Sequence, residues 1–110
     1  MNESRIAVVW FRRDLRLQDN PAWAHATREA DEVAAVFVVD PMPWQRAGPA
    51  RRAILIAHLR ALHHELAESG GGLHLLHGDP ALELPAVARR LSATSVHLNA
   101  DVSSYANQRD

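Results

Sequence analysis

The sequence predicts an α/β fold built on a doubly wound parallel sheet, and three observations predict it. Short apolar runs at residues 6–11, 33–39, 73–76 and 96–99 alternate with stretches of roughly 10 to 20 residues whose apolar positions recur at helical spacing. The first two runs, IAVVWF and VAAVFVV, are continuously apolar instead of alternating, as in a strand covered on both faces. The helical stretches also carry start and stop signals, with Asx-Pro pairs in front and a glycine cluster behind. Strand, helix and strand in regular succession give βαβ units with right-handed crossovers.

Each element has its own justification. Residues 6–11 form the first strand. Asn20 and Pro21 supply an N-cap and a first helical position, and Trp23, Ala26, Thr27 and Ala30 then share one face of the first helix. Residues 33–39 form the second strand, stopped at Asp40 and Pro41. A polar stretch holding Trp44, Gly48 and Pro49 opens a long helix with Leu55, Leu59, Leu62 and Leu66 at helical spacing. SGGG at 69–72 ends it, and residues 73–76 form the third strand. Asp79 and Pro80 repeat the cap signal, and Leu84, Val87, Ala88 and Leu91 give the third helix an apolar face. Residues 96–99 form the fourth strand, and the remainder to Asp110 reads as the start of another helix.

Composition bounds the function. A chain of 110 residues has room for one domain, so residues 1–110 are expected to fold around one core. Apolar content of 47% with 23% charged residues suits a globule that offsets its ordering entropy by burial. A formal net charge of −1 supplies no global field for nucleic acid or an anionic membrane, so any such contact must be local. All 12 basic residues counted as Lys or Arg are arginines, beside 19 alanines, which reads as base composition more than mechanism. The apolar run after MNESR is too short for a secretory signal or a membrane span. The absence of cysteine removes disulfides and thiol chemistry and fits a cytoplasmic protein.

In doubly wound sheets ligands sit beyond the carboxyl ends of the strands, where strand order reverses. That rule singles out the segments after Phe11, Val39 and Asn99. The first, FRRDLRLQDN, supports two readings that the residues alone leave open. Asp14 with Arg16, or Asp19 with Asn20, can pair and cap to fix the loop; alternatively Arg12 or Arg13 presents a guanidinium to an anionic ligand. A dinucleotide turn is excluded, because close approach to pyrophosphate needs glycines and this turn has none. His74 and His77 fall on opposite faces of a strand, no HExxH spacing exists, and no metal site is expected. No GxSxG elbow is present, paired carboxylates are available only between distant segments such as Asp40 and Asp101, which as bare residues read as caps and turns, and no catalytic residue is assigned. Trp10, Trp23 and Trp44 read as packing.

Taken together and in order, VVWFRRDLRLQDNPAW, VFVVDP, GPARRAIL, HGDP and NADVSSYANQRD resemble the N-terminal α/β domain of the DNA photolyase and cryptochrome family. The resemblance covers nearly the whole chain. It implies a domain that holds an antenna chromophore and passes excitation to FAD in a larger helical domain, which also binds the damaged DNA. On this reading the cofactor-binding residues are Arg13 as cation, Phe37, Val39 and Asp40 as wall and hydrogen-bond partner, and Asp101 with Tyr105 as closing segment. The family pattern favours deazaflavin over folate, since Tyr105 and Ala106 stand where folate binders carry Asn-Glu. Ser103 and Ser104 stand where deazaflavin binders carry a carboxylate and a proline, which weakens the polar grip on the dye. The family's fifth strand and flavin domain lie outside these residues, so FAD and damaged DNA are expected only through a helical partner domain, in a longer chain or in trans. The alternatives are a standalone nucleotide- or small-molecule-binding module and a nonfunctional remnant. The sheet edge where a fifth strand would pair is expected to promote association.

Overall fold

The computed structural model describes residues 4–99 of the 110. Its elements run β1 (Ile6–Trp10), α1 (Pro21–Glu29), β2 (Glu32–Val39), α2 (Pro41–Arg46), α3 (Pro49–Glu68), β3 (Leu73–His77), α4 (Pro80–Leu91) and β4 (Ser95–His97). All strand pairs are parallel, in the order β3-β2-β1-β4. The chain therefore steps outward from β1 through β2 to β3 and then returns to the other side of β1. Right-handed crossovers require that reversal to move the covering helix to the opposite face.

The core follows this rule. On one face Ala7, Val9 and Phe11 pack with Ala22 and Ala26 of α1 and with Leu62 and Leu66 of α3. On the other, Val8, Val36 and Val38 meet Val87 of α4. Successive residues of β1 thus serve opposite layers, which explains a continuous apolar run where a one-faced strand would alternate. β1 is central, and its Val8 and Ala7 are fully enclosed.

The boundaries differ from the sequence expectation in instructive ways. Phe11 lies past the strand, although its N–H still donates to Val36 O at 2.8 Å. Thr27 is exposed; Ala22 and Ala26 form the buried stripe of α1, and the Thr27 hydroxyl instead donates to Trp23 O and Ala24 O. β4 covers Ser95–His97, so Leu98 and Asn99 fall beyond it. The largest difference is α2: the segment after Val39 is not merely a stop but a helix of 6 residues, capped by Asp40, whose Oδ1 accepts from Met42 N at 3.1 Å. The helix expected to begin after Asn99 lies outside the described residues.

Candidate functional site

The loop between β1 and α1 holds itself together. The Arg16 guanidinium donates to Gln18 O at 3.1 Å and Asp19 O at 3.4 Å, and lies 4.0 Å from the Asp14 carboxylate. Asp19 takes a left-handed φ of 51°, which turns the chain into the cap. Asn20 then accepts from Trp23 N at 3.0 Å and donates to Arg16 O at 2.9 Å. Asn99, just past β4, donates to Asn20 Oδ1 at 2.8 Å and accepts from Ala22 N at 2.9 Å. Asn20, at the start of α1, and Asn99, just past β4, thereby clasp the loop at the point where strand order reverses. Of the two readings left open above, the hydrogen bonds bear out the first: Asp14, Arg16, Asp19 and Asn20 fix the loop, while Arg12 and Arg13, directly after β1, line a small cleft. The Arg12 guanidinium lies 4.9 Å above the Trp10 ring.

Beyond β2 the chain makes a cavity of about 160 Å³, lined by Phe37, Val38, Val39, Asp40, Pro43, Trp44, Ala47, Arg51, Arg52 and Leu55. Its walls come from the strand end, the short α2 and the first two turns of α3. Phe37 is buried, Val39 and Asp40 are half-buried, and Arg51 is exposed. Arg52 donates to Trp44 O at 3.0 Å and Gln45 O at 3.3 Å, and its guanidinium lies 4.9 Å from the Trp44 ring centre. The cavity thus joins apolar walls, a carboxylate and two guanidinium groups, a combination suited to a flat, partly anionic ring.

Of the residues singled out from sequence, Phe37, Val39 and Asp40 meet here. Arg13 lines a separate small cleft at the tips of β1 and β4, with Trp10, Asp14, Asn20 and Asn99 among its neighbours. Asp101 and Tyr105 lie outside the described residues. The sequence reads Trp44 as packing and gives Arg51 and Arg52 no role of their own; the signal for the two arginines is their place in GPARRAIL, set by Gly48 and Pro49 at the start of a helix.

Size alone would direct attention elsewhere. A groove of about 440 Å³ runs between α3 and edge strand β3, and an open trough of about 730 Å³ lies between α1 and edge strand β4. The groove follows the side of the sheet, whereas the trough reaches the carboxyl ends of β1 and β4 through Asp14, Arg16, Asp19, Leu98 and Asn99 but is open to solvent and presents a less apolar wall than the cavity beyond β2. The trough does hold a titratable pair: the His25 and His97 rings lie 5.3 Å apart, and His97 Nε2 is 2.9 Å from Ser95 Oγ. Burial pushes the His97 pKa below its ordinary 6.5, His25 pushes it further down, and Glu29 opposes both.

With this geometry the comparisons acquire meaning. The family model of DNA photolyase matches residues 7–110. The chain belongs to the DNA photolyase family. It is 44% identical over 108 residues to the deoxyribodipyrimidine photo-lyase of Streptomyces griseus, covering 96% of this chain and 24% of that protein. It superposes on a bacterial class III photolyase from Agrobacterium tumefaciens with TM-score 0.83 and 30% identity, covering 100% of this chain and 23% of that one. An archaeal photolyase from Sulfolobus tokodaii, solved with two FAD molecules and carrying the implication of a novel light-harvesting cofactor, gives TM-score 0.74 and 29% identity. That superposition covers 96% of this chain and 25% of the archaeal one. The chain spans less than two fifths of the length of the curated relatives it matches. The four-stranded parallel sheet with helices on both faces is the photolyase-family α/β architecture. Among the described residues, no helix is long and apolar enough to cross a membrane.

Proposed function

We propose that this photolyase-family chain is an antenna-chromophore-binding domain that serves light-driven DNA repair or blue-light sensing. The observation that carries the reading is the cavity beyond β2, where Phe37, Val39, Trp44, Asp40 and Arg51 converge at a strand end. Its volume is about half the lower bound of roughly 300 Å³ for ligand pockets. The described residues therefore supply one wall and one end of a dye site. In this reading Arg13, on the loop after β1, and Asp101 and Tyr105, after β4, complete it.

The chemistry of the donors suits a flat anionic chromophore, and the preference for a deazaflavin over a folate rests on the sequence pattern at Tyr105 and Ala106. Phe37, Val39 and Trp44 offer apolar and aromatic surface, and Arg51 offers charge-assisted hydrogen bonds. When bound, such a group supplies light absorption; the protein holds it rigid, dry and oriented. The light-harvesting cofactor implied for the archaeal relative supports the same assignment of roles. A flavin-binding helical domain, in the same polypeptide or in trans, is the acceptor partner in this reading, and contact with damaged DNA runs through that domain.

The test is a titration of the purified chain with a deazaflavin, FAD and a folate, followed by absorbance and fluorescence anisotropy. Saturable uptake of a near-ultraviolet or blue-absorbing dye, weakened by Arg51→Gln, is expected. Uptake of adenine nucleotides but none of the three dyes would instead support a small-molecule-binding module.

A further inference from the structure

Short helix α2 cannot hold its own place. It has 6 residues, none of them buried, and an isolated helix of that length is far too short to persist in water. Two side chains outside it supply the missing constraint. Asp40 caps the beginning, and Arg52, from the first turn of α3, grips the end through the carbonyls of Trp44 and Gln45.

Arg52 makes three contacts with this one turn: two donated hydrogen bonds and a stack on the Trp44 ring at 4.9 Å. A planar guanidinium satisfies all three at once, whereas an ammonium offers a point charge without a stacking plane. The neighbouring arginine behaves differently. Arg51 lines the same cavity but is exposed, while Arg52 is half-buried.

We infer that Arg52 is a positioning residue: it fixes Trp44 as a wall of the cavity beyond β2 before any ligand arrives, leaving Arg51 to meet the ligand. The inference rests on the antenna reading for its consequence, but the ordering of Trp44 stands independently of it. Preorganisation of this kind improves affinity by removing the ordering cost from the binding step. Arg52 also lines the cavity, so its loss acts on binding through the ordering of Trp44 as well as through the wall, and the ligand-free protein isolates the first effect.

The test uses the full chain labelled with 5-fluorotryptophan, whose three 19F resonances are assigned by Trp→Phe substitutions. In the ligand-free protein, Arg52→Gln shifts and broadens the Trp44 resonance and leaves those of Trp10 and Trp23 in place; Arg52→Lys fails to restore it. Arg51→Gln leaves the Trp44 resonance unchanged. In a deazaflavin titration, both Gln variants raise Kd by roughly tenfold. An unmoved Trp44 resonance in Arg52→Gln, or an equal response in Arg51→Gln, overturns the inference whatever the dye does. A wild-type chain that ignores the dye while Trp44 responds to Arg52→Gln refutes the antenna reading and sustains the positioning role.

Discussion

Asn20 is a buried polar side chain, only 4% exposed, and every polar atom of its amide is used. Its replacement removes an N-cap and strands two partners at once, the carbonyl of Arg16 and the amide of Asn99. Asn20→Ala is expected to cost about 2–3 kcal/mol, measured by chemical denaturation. Asn99→Ala, which keeps the cap, should cost about 1–2 kcal/mol. Because the two side chains share one network, the double variant should lose less than the sum. Additive losses would show that the clasp between the start of α1 and the end of β4 does not act as a unit. Residue chemistry also sets a pH dependence. His97 has its folded pKa lowered, first by burial and then by His25, so its neutral form is the one the fold prefers. Its contribution to stability is therefore complete above the unfolded value of 6.5 and is lost as pH falls through the folded pKa. His25→Gln should raise the His97 pKa and Glu29→Gln should lower it, both read from imidazole NMR titration. A His97 pKa indifferent to either change would remove the electrostatic account of the pair.

At the scale of elements, the cap chemistry explains both what the sequence disclosed and what it concealed. Three Asx-Pro pairs occur, at Asn20-Pro21, Asp40-Pro41 and Asp79-Pro80, and each caps a helix. The first and third were legible because a long apolar period follows them. The second reads only as a strand stop, since PMPWQR is too short to show a period and has no fully buried residue. The wall of the cavity was concealed for the same reason, while Phe37, Val39 and Asp40 were legible from strand position alone. Of the four leucines that helical spacing marks, Leu59, Leu62 and Leu66 form the inner stripe of α3 and Leu55 is half-buried, yet Ile54 and Ile56 on the same helix are exposed, so apolar identity does not by itself fix the face. The end of α4 offers a direct check on backbone conformation. Ser92 sits at φ 55° and ψ 41°, a left-handed position where glycine carries no Cβ penalty. Ser92→Gly should stabilise the protein by about 0.5–1 kcal/mol, seen as a higher melting temperature. A destabilised variant would mean that the serine side chain contributes there beyond its backbone.

For the molecule as a whole, parallel order β3-β2-β1-β4 places the reversal between β1 and β4 and turns every strand end toward the same side. That arrangement was legible from alternating strand and helix signals, because right-handed crossovers leave few alternatives. How the loops divide the space was not, since it depends on side-chain packing that no period encodes. Sheet edges have a consequence of their own. β3 is an edge strand of sequence LHLLH, without lysine or proline to discourage pairing, and Leu75 is 59% exposed. Self-association rising with concentration is expected, and Leu75→Lys should reduce it in sedimentation velocity; a wild-type monomer at the highest concentrations would contradict this. The central claim is that a flat chromophore enters beside β2, and amide chemical-shift mapping during a deazaflavin titration tests it most directly. The account predicts saturable shifts at Phe37, Val39, Asp40, Trp44 and Arg51, joined by Arg13, with His25 and Val96 in the trough between α1 and β4 unaffected. Shifts confined to that trough or to the groove between α3 and β3 would contradict it.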